Sequence, residues 1–433
     1  MSVIAQVQRS AALLAIPVGA LSRSVWASGR QLLGADRELV RAQLRTANAD
    51  ALREQLGSLK GGALKAGQLL STVDSLFPED PDRTWTEALT SLQESNPPLP
   101  FVDIEPVLRE DLGIDWRRRL IDFEPEAFAA ASLGQVHRAI CDGQAVAVKI
   151  QYPGVRDAIA TDVRWLEWAL RAGSVVARGL TVPPVVAELR TRLADELDYE
   201  REGRHQAQAA NAFAQDADIV IPNVVLATPR VLVTTWCEGR PLVQIADDAA
   251  DLRDAMGLKY QRFLLSAPER SGLLHADPHP GNFRVLDDGR LGVLDFGAVL
   301  PMPDGMPESF GRLIRVMLAT DPDEVAAGLR LEGFVRPGVD LDAARLAAFL
   351  SPFSDPARSE TFTYSPQWLR AKFTGGPDDP RNPDYAVAMK LTIPAKQLLT
   401  HRVWLGCVGV LCRLNATVPV APELRRWLPG FAD

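Results

Sequence analysis

The stretch His275-Ala276-Asp277-Pro278-His279-Pro280-Gly281-Asn282, followed by Asp295-Phe296-Gly297, decides how this chain reads. Asn282 follows Asp277 by five residues, and Asp295 follows Asn282 by thirteen. Between them, Phe283–Leu286 and Leu291–Asp295 flank an Asp287-Asp288-Gly289 turn, which predicts a small hairpin. Phosphoryl transfer needs parts of this kind. One carboxylate orients the attacking hydroxyl or water, while an amide oxygen and a second carboxylate hold magnesium against the phosphates. Asp277 is the expected catalytic carboxylate. Asn282 and Asp295 suit magnesium, which prefers hard oxygen donors and keeps some of its waters. Either motif alone would read as a turn before proline or a strand end; their order and spacing together select the chemical reading. The cluster His275, Asp277, His279 also invites a zinc or paired-metal hydrolase, but His401 is the only later histidine and no matching second site accompanies it.

Working upstream, Ala145-Val146-Ala147-Val148-Lys149-Ile150 reads as a strand after an Asp142-Gly143 turn. A lysine among apolar strand residues is costly to bury alone, and phosphate oxygens with a helix glutamate would offset that cost. The bland alternative is an edge-strand lysine facing solvent. A long helical stretch from about Pro184 to Phe213 offers Glu196, Asp198, Glu200 and Glu202 as partners, and Glu202 is favoured. Asp198 and Glu202, four apart, share a face. Glu196 and Asp198 point nearly opposite ways in a continuous helix, so only one faces the site or the helix begins or bends there. Ala129-Ala130-Ala131-Ser132, with Ser132 seventeen residues before Lys149, lies where a loop could cover a nucleotide. Alanine is less permissive than glycine, so such a loop should be stiffer; taken alone, the run reads as a small-residue helix N-terminus. Strand candidates follow at Ile219–Leu226 and Arg230–Trp236.

The 433 residues allow two or three domains, and 47% hydrophobic with 24% charged residues is ordinary for a folded soluble chain. The net charge of −8 supplies no basic field for nucleic acid or anionic lipid. Cys141, Cys237, Cys407 and Cys412 form no CxxC pair, which fits buried thiols in a reducing, cytoplasmic setting. The run Ala11–Ala20 is weak as a signal peptide, and Val403–Cys412 falls short of the roughly 20 residues a membrane-spanning helix needs. Peripheral membrane contact through the N-terminal segment, or core packing of that segment, fits the first run. Residues 1–100 read as helical and end at the break Asn96-Pro97-Pro98-Leu99-Pro100; 101–240 read as mixed, with a helix near Ile104–Leu112 ending at Gly113; 241–433 read as helical apart from the hairpin. The expected fold class is therefore α+β, a small sheet lobe followed by a larger helical lobe.

These residues together resemble the UbiB/AarF family of atypical kinases. Four more features carry the likeness: Lys65-Ala66-Gly67-Gln68, matching KxGQ; the alanine-rich loop with Gly134-Gln135-Val136-His137; Val146–Val155, matching VAVKxQxPGV; and Glu196-Leu197-Asp198, matching ExD. The resemblance runs from about residue 55 to 300 and implies a two-lobed, protein-kinase-like fold with a helical N-terminal extension. It implies that Lys65 and Gln68 lie over the active site and that Lys65 meets Glu196. It implies a Lys149–Glu202 pair, Asp277 as the catalytic-loop aspartate, and Asn282 and Asp295 as magnesium ligands. It further implies Ala129 through Ser132 over ATP or ADP, and Thr234–Glu238, including Thr235, Trp236 and Cys237, as the segment that binds adenine. A role in isoprenoid quinone or related lipid metabolism follows from it, with a lipid or quinone-precursor ligand as partner.

No Ala-Pro-Glu segment follows Asp295-Phe296-Gly297, which argues against ordinary protein phosphorylation and for a small or lipid-like acceptor, or for ATP hydrolysis itself. Two alternatives stand beside the atypical kinase or ATPase. One is a small-molecule phosphotransferase of the aminoglycoside or choline kinase type, whose HGDxHPGN string the catalytic stretch also resembles. The other is a nucleotide-regulated, membrane-associated switch with little turnover.

Overall fold

The computed structural model describes residues 98–131, 133–161, 196–335, 338–373, 387, 390–392, 394 and 397–432. The expected helices of residues 1–97, with Lys65 and Gln68, lie outside the described residues, as do Ser132 and the part of the long helical stretch before Glu196. The described residues form two compact units. One comprises those up to Glu200 together with Leu226–Val233; the other comprises Arg201–Val225 and those from Thr234 onward.

The first unit opens with helix α1, Phe101–Leu112, which starts directly after the proline cluster and ends at Gly113 with φ 90°. Pro100 disfavours the helical region for Leu99 before it, so the helix starts no earlier than the end of the proline cluster, three residues ahead of the apolar pattern at Ile104. α1 buries Ile104, Val107 and Leu108 against a sheet. Strands β1 (Ala129–Ala130), β2 (Gly134–Cys141) and β3 (Gln144–Gln151) run antiparallel. Asp142 (φ 49°) and Gly143 (φ 77°) turn β2 into β3, the left-handed pair that a two-residue hairpin requires. The predicted strand Ile219–Leu226 is in fact two, β4 (Ile219–Val220) and β5 (Val224–Ala227), separated around Pro222, which has no amide to donate. They join different sheets. With β6 (Val231–Thr235), the first sheet runs β1-β2-β3-β6-β5. Its core side presents Val146, Val148 and Ile150, all fully buried, with Trp116 and α1; the pleat turns Ala147, Lys149 and Gln151 to the other face.

The helical stretch expected from Pro184 to Phe213 is interrupted at the point where the divergence of Glu196 and Asp198 allowed a bend. Glu196 is helical, Leu197 forms a turn, Asp198 lies outside any helix, and a new helix α2 spans Tyr199–Ala212.

The second unit holds the larger core. A second sheet runs β4-β10-β9-β7, from β7 (Arg240–Pro241), β9 (Phe283–Val285) and β10 (Leu291–Val293); the predicted hairpin is β9–β10. Helix α3, Ala250–Ser271, is closed by Gly272 in the left-handed region and leads into β8 (Leu273–His275), which pairs with β11 (Val299–Pro301). Then follow α4 (Glu308–Met317), α5 (Pro322–Leu331), α6 (Ala343–Ser354), β12 (Phe362–Thr363), α7 (Pro366–Phe373), α8 (Leu398–Leu414), β13 (Thr417–Val418) and α9 (Val420–Trp427). The hairpin is thus not the one exception to helix after residue 240. β8, β11, β12 and β13 are two- or three-residue ladders, too short to leave an alternating pattern in sequence. Cys141, Cys407 and Cys412 are buried free thiols and Cys237 is half-buried. No helix among the described residues is long and apolar enough to cross a membrane.

Candidate active site

The catalytic stretch links β8 to β9, and β10 and β11 flank Asp295-Phe296-Gly297. Two short ladders therefore converge here, both in the second unit. His275 is buried, and its Nε2 lies 2.8 Å from the carbonyl oxygen of Asp295 and 3.4 Å from that of Leu294. Both neighbours are acceptors, so Nε2 carries the proton and donates. Around the imidazole, Phe296 packs at 5.2 Å, Phe283 at 5.7 Å and Phe263 at 6.0 Å. His275 is thus a strut between the two motifs. His279 accepts from the Gly281 amide through Nδ1 at 3.1 Å. Among the described residues no group of three or more His, Cys, Asp or Glu side chains is arranged to hold a metal, as the metal-hydrolase alternative would need.

Asp277 and Asn282 are brought together. Asn282 Nδ2 donates to Asp277 Oδ2 at 2.9 Å and to the Asp277 carbonyl at 3.3 Å. Its nitrogen is thereby committed, and the amide oxygen is the atom suited to a cation. Asp295 is exposed and sits at φ 58°, a left-handed conformation that aspartate tolerates better than most side chains, with Oδ1 accepting from the Gly297 amide at 3.1 Å. Glu202, 3% exposed on α2, brings Oε2 to within 3.4 Å of where a side chain on Gly297 would begin. An amide oxygen and one carboxylate, with solvent access for further water ligands, form a donor set that fits magnesium.

The loop carrying Asp277 is gripped by two helices that sequence reasoning did not connect with it. Tyr260 of α3, fully buried, donates its hydroxyl to the Pro278 carbonyl at 2.6 Å. Gly406 of α8 lies so close to the Pro278 ring that an added Cβ would meet Cγ at 2.4 Å. No local signal marks either residue, since a tyrosine on a buried helix face and a glycine in an apolar helix read as core.

In the first unit, Lys149 is half-buried with Nζ 5.0 Å from the centre of the Tyr199 ring, a cation–π contact. It is an interior strand residue, which removes the edge-strand alternative. Ala129 and Ala130 form β1 opposite Val136 and Gln135, and the Ala131 amide donates to the Gly134 carbonyl at 2.9 Å. Ala129 and Ala130 therefore lie in a strand, not at a helix N-terminus. Gly134 is required: a Cβ would stand 2.1 Å from the Ile150 carbonyl oxygen. Gln135, wholly buried, accepts from the Leu99 amide at 2.8 Å and donates to the Leu99 carbonyl at 3.2 Å and to His137 Nε2 at 2.9 Å. His137 Nδ1 donates to the Glu124 carbonyl at 2.8 Å, and burial lowers the imidazole pKa. The start of β2 is thus tied to the chain just ahead of α1.

The expected adenine segment leaves the end of β6. Thr235 has its amide bonded to the Asn223 carbonyl at 2.9 Å and its hydroxyl to the Asn223 amide at 3.0 Å. Trp236 Nε1 donates to Glu238 at 2.7 Å, and Cys237 packs over Gly292 of β10 with its thiol pKa raised by burial. Thr235 therefore braces the turn through both groups. Glu196 and Asp198 flank the break before α2.

The ABC1 atypical kinase-like domain profile matches residues 91–328. The chain belongs to the ABC1 atypical kinase-like family. The atypical kinase coq-8 of Caenorhabditis elegans is 27% identical over 387 residues, covering 87% of this chain and 50% of that protein. The atypical kinase COQ8 of Saccharomyces cerevisiae is 31% identical over 278 residues, 63% of this chain and 54% of that one. Both relatives are named mitochondrial. This ABC1 chain spans about half the length of these curated relatives. The structure of Rv3197 in complex with erythromycin, from Mycobacterium tuberculosis, matches with a TM-score of 0.71 and 36% identity, over 92% of this chain and 100% of that one. The fold is α+β and protein-kinase-like, as expected. Lys65 and Gln68 precede the matched span.

Proposed function

We propose that this ABC1-family chain binds ATP with magnesium and acts as an atypical kinase or ATPase in isoprenoid quinone or related lipid metabolism. The observation that carries the reading is the Asn282–Asp277 hydrogen bond of 2.9 Å beside an Asp295 fixed by His275 and Gly297. Asp277 orients the attacking hydroxyl or water, held in place by Asn282 and by the grip on Pro278. Asn282 and Asp295 would hold magnesium, which supplies charge neutralisation on the phosphates. Lys149 is assigned to the α- and β-phosphates, with Glu202 of α2 as its expected acidic partner. Ala129, Ala130, Ala131 and Ser132 are assigned to cover the nucleotide, with Glu196 and Asp198 as acidic groups of the same chemistry. Because Thr235 is committed to Asn223, the adenine edge falls to the backbone of Trp236 and Cys237. Lys65 and Gln68 are assigned to restrict the acceptor. The work is positioning and charge stabilisation.

The test is ATP turnover with and without magnesium and anionic lipid vesicles, beside Asp295→Asn and Asp277→Asn. We expect magnesium-dependent turnover that falls at least about a hundredfold in both variants. Stimulation by vesicles supports a lipid-linked reaction, while preference for soluble alcohols supports the aminoglycoside- or choline-kinase-like alternative. Nucleotide binding without turnover supports the switch reading, and no nucleotide binding sinks the proposal. The relative's erythromycin complex favours a second reading, in which a bulky macrolide-like ligand binds; adding erythromycin to the same titrations tests it.

A further inference from the structure

The sequence leaves Glu196 and Asp198 in difficulty, because residues two apart diverge by about 200° around a helix. The structure resolves this by breaking the helix between them, and the cause lies on β3. Gln151 shares a face with Lys149, two residues earlier, and is 1% exposed. Its Nε2 donates to the carbonyl of Leu197 at 2.8 Å and to that of Pro229 at 3.2 Å. The chain then turns over Tyr152–Val155, where the Val155 amide reaches the Tyr152 carbonyl at 3.2 Å and Gly154 adopts φ 70°. That turn returns Arg156, whose Nη2 donates to the same Leu197 carbonyl at 3.0 Å.

Two side-chain donors, one of them charged, thus converge on a single backbone oxygen. A carbonyl has two lone pairs, and in a helix it accepts the amide four residues on. Filling it from the side cuts the ladder at Leu197, a recognised cause of a helix break. α2 starts afresh at Tyr199, and Leu197 and Tyr199 are 3% and 1% exposed, so the segment is pinned on both sides of Asp198. The Tyr199 ring meets Lys149 from the same strand face. We propose that Gln151 and Arg156 are positioning residues, which set the Glu196–Asp198 pair relative to Lys149 by capturing the Leu197 carbonyl. The run Gln151-Tyr152-Pro153-Gly154-Val155-Arg156 then reads as one device: donor, turn, donor. The functional consequence rests on the ATP reading above; the capture itself does not.

The experiment compares wild type with Gln151→Met, Arg156→Met and Arg156→Lys, reading kcat and KM for magnesium-ATP, melting temperature, and amide hydrogen exchange of the peptide spanning 196–202. We expect each Met variant to lower kcat about tenfold, the scale of one lost hydrogen bond to a backbone carbonyl, with a smaller change in KM. We also expect faster exchange confined to 196–202, and recovery of most of both effects in Arg156→Lys. Unchanged exchange at 196–202 in the Met variants overturns the capture. Altered exchange with kcat and KM intact, and only a lower melting temperature, overturns the positioning role and leaves a structural one. If wild type itself shows no magnesium-dependent turnover, the ATP reading has failed, and the exchange arm alone upholds or overturns the capture. Should Gln151→Met fail to fold, the Arg156→Met and Arg156→Lys pair decides.

Discussion

His275 is buried and His401 half-buried, and the two imidazoles have opposite duties. His275 donates to the Asp295 carbonyl and so ties two motifs together. His401, on α8, stands edge-on to Phe310 at 5.3 Å and near Phe334 at 5.5 Å, with Nε2 buried and without a partner. Burial lowers its pKa from 6.5 to about 4. The unfolded chain therefore binds the proton more readily than the folded one. The stability held above pH 6.5 is lost progressively as pH falls toward 4. Between pH 7.5 and 5 this group should cost about 2 kcal/mol. Urea unfolding at the two pH values checks it: His401→Leu should reduce the pH dependence by about that amount, and an unchanged dependence refutes the assignment. Neither duty was legible, because a lone histidine in an apolar run carries no mark of its surroundings.

At the level of elements, the catalytic loop is shaped by helices remote in sequence. α3 reaches it through Tyr260 and α8 through Gly406, both at Pro278, the residue next to Asp277. Removing the Tyr260 hydroxyl leaves the buried Pro278 carbonyl without that donor, at a cost of about 1–3 kcal/mol. Tyr260→Phe should therefore lower stability on that scale and lower kcat about tenfold while leaving KM for ATP nearly unchanged, which steady-state kinetics with a parallel melt will check. A fall in stability with kcat intact would confine Tyr260 to the core. The hairpins and α1 were legible from turn residues and periodicity. The split of Ile219–Leu226 was missed, and the break at Leu197 was left open as one of two alternatives. Pro222 was a visible warning for the first; the second depends on donors about forty residues away in the chain.

For the whole molecule, each unit has its own apolar core: Val146, Val148 and Ile150 with α1 in one, α3 with α8 and the hairpin in the other. A ligand that binds only the folded state stabilises it by mass action. Magnesium-ATP at a hundredfold excess over its Kd should add about 3 kcal/mol, seen as a rise in melting temperature. In Asp295→Asn the magnesium-dependent part of that rise should vanish. An equal rise with and without magnesium in wild type would remove Asn282 and Asp295 from metal binding.

The sequence by itself determined the class of the fold, the grouping of Asp277, Asn282 and Asp295 on one loop and hairpin, and the strand that carries Lys149. Turn residues, side-chain period and motif spacing are local properties, so a linear reading recovers them. Only the tertiary structure decided what holds those groups in place: His275 beneath Asp295, Tyr260 and Gly406 on either side of Pro278, Gln135 on Leu99, and Gln151 with Arg156 on Leu197. Most of these contacts join residues tens of positions apart or more, through a single carbonyl, amide or missing methyl. No composition or periodicity encodes such a meeting, because the partner is supplied by folding and not by the neighbouring chain.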